Sequence, residues 1–327
     1  MSVTVNSTHQ EYTALTQGAA FQVRPEGGVL ELGDADRVDF LHRMTTNDIA
    51  TLQSGQSTIT ILTSPTARIV LVFSVLIDEE KLILMPALGE TAALGQHLRS
   101  QIFFMDKVTV SDRSAEFCRL RVMGPDAADV IGKMGLELAA AADGEWQDVD
   151  GLVAVKQIGY DLPGYELIVP DERLSAVITD LTNAGALPLD DETAYQARRV
   201  ELGRPLVGSE LTDAYNPLEA GMRWACADDK GCYTGQEIIA RQVTYDKVTK
   251  TLVGLQGENA FAAGSDVTVD GRTAGKVTST AQHPLTGAHL ALAILKRPRN
   301  EAGTQVEVDG ISATVVALPF PAPPESL

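Results

Sequence analysis

The last third of the chain carries the pattern that most restricts its fold. From residue 249 onward, six short runs rich in β-branched and apolar residues alternate with Gly, Asp or Pro, without a helical period. The runs are KTLVGLQG, SDVTVDG, RTAGKVTSTAQ, HLALAIL, TQVEVDG and ISATVVAL. Short strands separated by turn residues are typical of a closed all-β unit. We predict a small β-barrel over residues 250–319, followed by a loose proline-rich tail at 320–327.

The first 249 residues mix strands and helices without the strict alternation of a doubly wound sheet. Three β-rich runs, STITILTS, RIVLVFSVLID and KLILMPAL, follow one another with turn residues between them. Such a succession predicts an antiparallel meander. A second β pair, GLVAVKQIG and GYELIVP, precedes a predicted helix near 171–184. Because no GxGxxG or GxxxxGK[ST] motif occurs, the pattern favours the α+β class over a Rossmann fold.

Composition and charge exclude several kinds of partner. The 327 residues include 26 Lys and Arg against 44 Asp and Glu, a formal charge of -18. Such a surface repels nucleic-acid phosphates and anionic lipid heads, so an anionic small molecule needs a local group such as Arg223, Lys230 or Arg241. The longest apolar run, IVLVFSVLI, is about half of a membrane span. We expect a cytoplasmic protein with neither a nucleic-acid nor a membrane partner.

The segment DKGCYTGQEIIAR, residues 229–241, raises the question of thiol chemistry. Thr234 and Glu237 have the spacing of a capping box, which predicts that a helix starts there. Cys232 then lies just outside a helix N-terminus and two residues from Lys230. The partial positive charge of the helix N-terminus and the ammonium group of Lys230 both favour the thiolate over the thiol. The segment therefore predicts a reactive Cys232.

An ordinary buried cysteine is the alternative for each thiol in the chain. Three cysteines without a CxxC fit neither a disulfide framework nor a zinc knuckle. Cys118 alternates with apolar strand residues and Cys226 follows a Trp-Ala pair, so both are predicted to be core. Gly231 and Gly235 favour a functional interpretation of Cys232, because they allow another group to approach the backbone closely.

The segment LDDETAYQARRVELGRPL predicts a helix that ends near Gly203. Glu201 shares a face with Ala194 and Ala197, which places a carboxylate on a small, apolar stripe. A buried carboxylate must find a hydrogen-bond donor. The donor is either a ligand with an amidine-like N–H pair or the neighbouring Arg198. A second charged pair, Glu237 with Arg241, is either a surface ion pair or part of a binding site.

These segments together resemble the YgfZ/GcvT folate-binding family. KGCYTGQE followed by Arg241 resembles the signature of its YgfZ branch, which glycine-cleavage T-proteins lack. Further blocks in the same order are FLHRMTTNDI, DKVTVSD, GYDLPGYELIVP, RRVELGRP and HLALAIL, so the likeness runs from about residue 28 to 318. The resemblance implies a three-lobed cloverleaf around a channel for tetrahydrofolate, with two lobes in residues 1–249 and a β-barrel as the third.

The resemblance also implies roles for individual residues. Glu201 takes the place of the glutamate that hydrogen-bonds the pterin ring, and Asn47 in the T-N-D loop lies along the channel. The other residues expected to contact folate are Arg223 and Arg241, with Cys232 and Lys230 as the reactive pair. The remaining signature residues are Gly231, Tyr233, Gly235, Gln236 and Glu237.

Two departures from the T-protein pattern bear on activity. T-proteins carry an aspartate pair after a PQGG-like turn, whereas SPTARIVLVFS places Leu71 and Val72 there. The asparagine after the next strand is also replaced, near Pro86. Aminomethyl transfer is therefore disfavoured, and the YgfZ likeness implies folate-dependent assembly or repair of iron–sulfur clusters, with iron–sulfur proteins or assembly factors as partners. A folate-dependent aminomethyl- or methyltransferase and a non-catalytic scaffold remain as alternatives.

Overall fold

The computed structural model describes residues 2–321, with side chains from residue 7 onward. Its α-helices are α1 (Ser2–Gln17), α2 (Arg37–His42), α3 (Thr91–Ser100), α4 (Ala127–Lys133), α5 (Leu174–Ala184), α6 (Thr193–Glu201) and α7 (Gln236–Thr244). Its strands are β1 (Ala20–Arg24), β2 (Leu30–Gly33), β3 (Ser57–Thr63), β4 (Ile69–Ile77), β5 (Leu82–Pro86), β6 (Thr109–Asp112), β7 (Phe117–Met123), β8 (Trp146–Val149), β9 (Leu152–Gln157), β10 (Gly164–Pro170), β11 (Leu187–Pro188), β12 (Lys250–Gly257), β13 (Asp266–Val269), β14 (Arg272–Gln282), β15 (His289–Lys296), β16 (Gln305–Val308) and β17 (Ile311–Val316).

The first lobe is built on a five-stranded sheet in the order β3-β4-β5-β2-β6. Strands β3, β4 and β5 pair antiparallel in sequence order, which confirms the predicted meander. Eight of the nine residues of β4 are buried. Such a continuous apolar run fits a strand that is covered on both faces.

The second lobe is built on a six-stranded sheet in the order β11-β1-β7-β10-β9-β8. Its strands pair antiparallel except for β1 with β11, which are parallel. In β1 and β7 apolar residues alternate with polar or charged ones, and β10 carries Glu166 between Tyr165 and Leu167. The apolar face packs against α4 and α5. The other face carries arginines and a glutamate, because successive strand residues point to opposite sides.

The third lobe is a closed barrel in the order β12-β15-β14-β13-β16-β17. All six predicted runs are strands of it, and alternate residues such as Val253 and Leu255 fill its interior. The predicted loose tail is wrong at Phe320, which is buried and donates its N–H to the carbonyl oxygen of Glu201. Gly254 leaves the space for that ring, since a Cβ there would lie 2.6 Å from it. Residues 322–327 lie outside the described residues.

The α+β class with a C-terminal barrel is confirmed. Neither helix α1 nor strand β1 was predicted, because the described part of α1 buries few large apolar side chains and β1 has only five residues. Both elements nonetheless shape the centre of the molecule, since α1 packs on α6 and β1 completes the charged face. Among the described residues, no helix combines the length and the apolar content needed to cross a bilayer.

The charged face of the second sheet is organised around Glu166 on β10. Its carboxylate accepts hydrogen bonds from Arg119 Nε at 2.7 Å and Arg24 Nη1 at 3.2 Å, and lies 3.6 Å from Arg121 Nη1. All four side chains are buried. A buried charge is costly unless it is paired and hydrogen-bonded, so this network fixes three neighbouring strands against each other.

We expect Glu166→Gln to lower the free energy of unfolding by about 3 kcal/mol, because it leaves buried guanidinium groups without their shared carboxylate. Urea unfolding measures the change. Glu258→Gln, at an exposed position, is the matched control and should change stability by less than about 0.5 kcal/mol. Equal stability of the two variants would contradict the structural role of the network.

Candidate functional site

A cavity of about 210 Å³ lies at the centre of the molecule, between the two sheets and α6. Its walls come from β1, β7, the loop after β5, the β9–β10 connection, the start of α6 and the segment 205–207. Glu26 and Glu192 are exposed where they line it, whereas Arg24 and Arg119 are buried. The cavity thus has a charged interior and an acidic mouth.

The polar wall of this cavity is held by Asp161 in the β9–β10 connection. Its carboxylate lies 2.7 Å from Arg24 Nη2 and accepts a hydrogen bond of 2.7 Å from the Tyr195 hydroxyl. Burial alone raises the pKa of Asp161, but Arg24, Arg121 and the Tyr195 hydrogen bond together hold it at about 2. The aspartate is therefore an anion at neutral pH and is already engaged by its neighbours.

The wall toward the first sheet is apolar. Tyr160 and Val207, which line the cavity, pack against a cluster that contains Val72. Val72 and Leu71 are both buried, in separate apolar clusters of the first lobe. The two positions at which the family resemblance leads us to expect carboxylates therefore present hydrocarbon to the protein interior.

Glu201 lies on a different face of α6 from the cavity. Its carboxylate accepts hydrogen bonds of 2.6 Å from the Tyr12 hydroxyl and of 2.6 Å from Arg198 Nη1. The ion pair with Arg198, one of the two alternatives for this carboxylate, is thus present. Helical spacing places Tyr195 and Gln196 at the cavity instead. The family resemblance pointed to Glu201 and missed these two residues.

The barrel also reaches Glu201, through His283 after β14. Backbone N–H groups of Leu285 and Thr286 donate to His283 Nδ1, so the proton is on Nε2, 3.1 Å from the Tyr12 oxygen. Tyr12 in turn donates to Glu201. This chain of hydrogen bonds joins α1, α6 and the barrel. The carboxylate of Glu201 therefore takes part in the contact between lobes.

Lys230 holds the T-N-D loop. Its ammonium group donates to the carbonyl oxygens of His42 at 2.6 Å, Thr45 at 2.5 Å and Asn47 at 2.7 Å. Burial lowers its pKa to about 8, so the lysine is still protonated at pH 7 and all three hydrogens are bonded. The ammonium group predicted to act on Cys232 therefore uses all three of its hydrogens in bonds to the loop.

The capping box predicted at Thr234 and Glu237 is wrong. Helix α7 begins at Gln236, and its N-cap is Gly235 with φ 84° and without a side-chain cap. A Cβ at residue 235 would lie 2.7 Å from the Ser64 carbonyl oxygen, which only glycine avoids. The predicted close approach at Gly235 is thus confirmed, whereas Gly231 has open space around it. Close docking of this turn on the β3–β4 turn decides where the helix starts.

The other predicted site residues are dispersed. The Asn47 amide donates to Thr58 Oγ1 and to the carbonyl oxygen of Ile59, so it braces β3. Arg223 pairs with Asp228 at the surface, and Arg241 is exposed on α7. The structure brings Asn47 and Lys230 together, but places Glu201 and Arg241 elsewhere.

The three thiols differ in exposure. Cys232 is exposed, Cys118 is half-buried, and Cys226 is buried. Burial raises the pKa of Cys226 to about 11, which agrees with the predicted core role. Among residues 7–321, no group of three or more His, Cys, Asp and Glu side chains is arranged to hold a metal ion.

Two domain families match the chain. Residues 4–230 match the GCVT N-terminal domain, and residues 250–321 match the glycine cleavage T-protein C-terminal barrel domain. Most of the Cys232 segment falls in the interval between these two matches.

Individual relatives cover nearly the whole chain. A chloroplastic protein of Arabidopsis thaliana with a provisional transferase name is 30% identical over 90% of this chain and 69% of its own length. An aminomethyltransferase of Exiguobacterium sibiricum is 28% identical over 98% and 91%. The crystal structure of aminomethyltransferase T from Bartonella henselae superposes with a TM-score of 0.85 at 21% identity, covering 96% of this chain and 89% of the other.

We expect iodoacetamide to alkylate Cys232 first in the native protein, because its thiol is exposed while that of Cys226 is buried. Peptide mass spectrometry over time resolves the three sites. Cys232→Ser should remove the fast phase alone. Labelling of Cys226 at the rate of Cys232 would contradict the described packing.

Gly235→Ala should lower the free energy of unfolding by about 1–3 kcal/mol, because it combines left-handed backbone strain with a clash at Ser64. Gly231→Ala is the control, since its Cβ would meet open space. Denaturant unfolding of both variants checks this, and equal effects would show that the turn does not dock as described.

Proposed function

Because the chain belongs to the glycine cleavage T-protein family, we propose that its central cavity binds a tetrahydrofolate. The observation that carries the proposal is the cavity itself, which lies between the two sheets and α6 and is lined by aromatic, amide and charged groups. A concave site with a few convergent polar groups is the usual form of a small-molecule site.

The size of the cavity suits the head of such a ligand. At about 210 Å³, it is smaller than the roughly 300–1,000 Å³ of sites that enclose a drug-sized molecule. The bicyclic head would fill it, and the rest of the molecule would extend through the mouth. Tyr160 and Tyr195 offer ring faces, while Gln196 and Glu192 offer acceptors for ring N–H groups. Bound tetrahydrofolate would supply N5 and N10 as carriers of a one-carbon unit.

Aminomethyl transfer is the second candidate function. The aminomethyltransferases that align with 98% of the chain favour it. Leu71 and Val72 weigh against it, because a hydrocarbon side chain can neither accept nor orient an amine proton. Formation of methylenetetrahydrofolate from an aminomethylated carrier protein would support this candidate, and binding without turnover would exclude it for that donor.

From the KGCYTGQE segment we further propose that the chain belongs to the YgfZ branch of the family. In this proposal the exposed Cys232 contacts an iron–sulfur protein or an assembly factor, in a cytoplasmic setting, while Lys230 and Gly235 hold the segment in place. Complementation of a deletion strain tests it. Cys232→Ser should fail to restore cluster-enzyme activity, whereas Cys118→Ser should restore it, and equal restoration would contradict the thiol role.

Anaerobic calorimetric titration of tetrahydrofolate tests the cavity. We expect saturable binding to the parent protein and none to Leu206→Trp, because the indole would fill the cavity without removing a charge. Leu285→Trp, at an exposed barrel position, is the matched control and should bind normally.

The variant Glu201→Gln distinguishes between two locations of the folate, the central cavity and the opposite face of α6. Since Glu201 faces Tyr12 and Arg198, we expect this variant to retain binding. Loss of binding in Glu201→Gln with retention in Leu206→Trp would move the folate site to the other face of α6 and contradict the proposal.

A further inference from the structure

A cleft of about 720 Å³ lies between the first two sheets, and it shares no lining residue with the central cavity. Its walls come from β2 and β5 of the first sheet, from β8, β9 and β10 of the second, and from the β6–β7 connection. The volume falls within the roughly 300–1,000 Å³ of sites that enclose a small molecule. The cleft is therefore a candidate for a second binding site, which the folate proposal does not use.

The floor of this cleft is apolar. Its buried residues belong to the cluster through which the two sheets pack against each other, and they are Val29, Ile83, Val153 and Ile168. Phe117 and Trp146 pack against the same cluster, and both rings are half-buried. A hydrogen bond of 3.1 Å from Trp146 Nε1 to the carbonyl oxygen of Gln56 fixes the indole. The floor thus offers hydrocarbon and two aromatic rings to a ligand.

The rim of the cleft carries an excess of negative charge. Seven carboxylates and two basic groups line the cleft, an excess of five negative charges. The carboxylates are those of Glu31, Asp78, Glu116, Asp148, Asp150, Asp171 and Glu172, and the basic groups are those of Lys81 and Arg173. Charges of one sign around a cleft with apolar walls concentrate the electrostatic potential inside it. The rim therefore attracts a cation and repels an anion.

The basic groups at the rim neutralise only two of these carboxylates. Lys81 Nζ lies 2.6 Å from Glu31, and Arg113, which does not line the cleft, pairs with Glu31 at 2.9 Å and with Glu116. Arg173 donates to a backbone carbonyl oxygen at 2.5 Å and not to a carboxylate. Even with Arg113 included, the excess is four negative charges. The carboxylates that form no ion pair with a described residue are those of Asp78, Asp148, Asp150, Asp171 and Glu172.

We propose that this cleft binds a small organic cation, an amine with an apolar body, at a site separate from that of the folate. The body of the ligand lies on Phe117, Trp146 and the aliphatic floor, where the loss of apolar surface from water stabilises the complex. The ammonium group meets the exposed carboxylates of Asp150, Asp171 and Glu172 at the rim. The two aromatic faces attract a cation as well. Apolar floor and acidic rim thus select the same class of ligand.

The test compares three probes. The amine 4-phenylbutylamine has both features, 4-phenylbutyrate has the same body with the opposite charge, and n-butylamine has the same charge with a shorter body. Trp224→Phe leaves Trp146 as the only one of the two tryptophans, so the fluorescence of the variant reports on the cleft. We expect a saturable change with 4-phenylbutylamine and at least about tenfold weaker binding of the other two probes. Equal affinity of either probe, or a change that does not saturate, would overturn the inference.

Variants at the rim identify the carboxylates. Asp150→Asn combined with Glu172→Gln should weaken the binding of 4-phenylbutylamine about fivefold, because two exposed attractive charges are lost. Glu258→Gln combined with Asp270→Asn removes the same two charges at exposed positions outside the cleft and should bind normally. Unchanged affinity in the rim variant, or an equal loss in the control, would contradict the site.

Tetrahydrofolate serves as the competitor that separates this inference from the folate proposal. We expect it to leave the affinity of 4-phenylbutylamine unchanged, because the two cavities share no lining residue. Displacement of the amine by tetrahydrofolate would overturn the inference of a second site. Failure of tetrahydrofolate to bind, with the amine still bound, would contradict the folate proposal alone.

Discussion

The carboxylate of Glu166, shared by three buried guanidinium groups, is the interaction on which the centre of this molecule depends. It joins β1, β7 and β10 across one face of the second sheet, and the other face packs against two helices. Because removal of a partner from such a network leaves an uncompensated charge, the strands cannot shift independently. Two members of the network, Arg24 and Arg119, also line the central cavity. The side chains that hold the second sheet together therefore also form part of the cavity wall.

The segment that carries Cys232 has a structural role. The ammonium group of Lys230 donates to three carbonyl oxygens of the T-N-D loop. Gly235 allows the turn before α7 to lie against Ser64. Tyr233 of this segment packs in an apolar cluster with Cys226, whereas the cavity residues Tyr160 and Val207 pack against a second cluster that contains Val72 and Ala225. Cys232 is left at the surface, where a partner can reach it. The exposed thiol is thus separate from the central cavity.

The sequence predicts most of the fold but only part of the site, for physical reasons. Short β-rich runs bounded by turn residues determine the barrel and the meander locally, so both are confirmed. The charged face was not predicted, although Arg119 and Arg121 alternate with Leu120 along β7, because the sequence does not show which buried carboxylate pairs with them. The start of α7 was not predicted correctly, because a tertiary contact at Gly235 outweighs the capping box. Nor was the orientation of Glu201, since one residue along a helix turns a side chain by about 100°.

We propose that the folate head lies in the cavity between the two sheets and α6. A crystal structure of the protein grown anaerobically with tetrahydrofolate tests this proposal most directly. We expect ligand density against Tyr195 and Gln196, with the rest of the molecule leaving between Glu26 and Glu192. Density beside Glu201 and Tyr12, with the central cavity filled only by water, would contradict it.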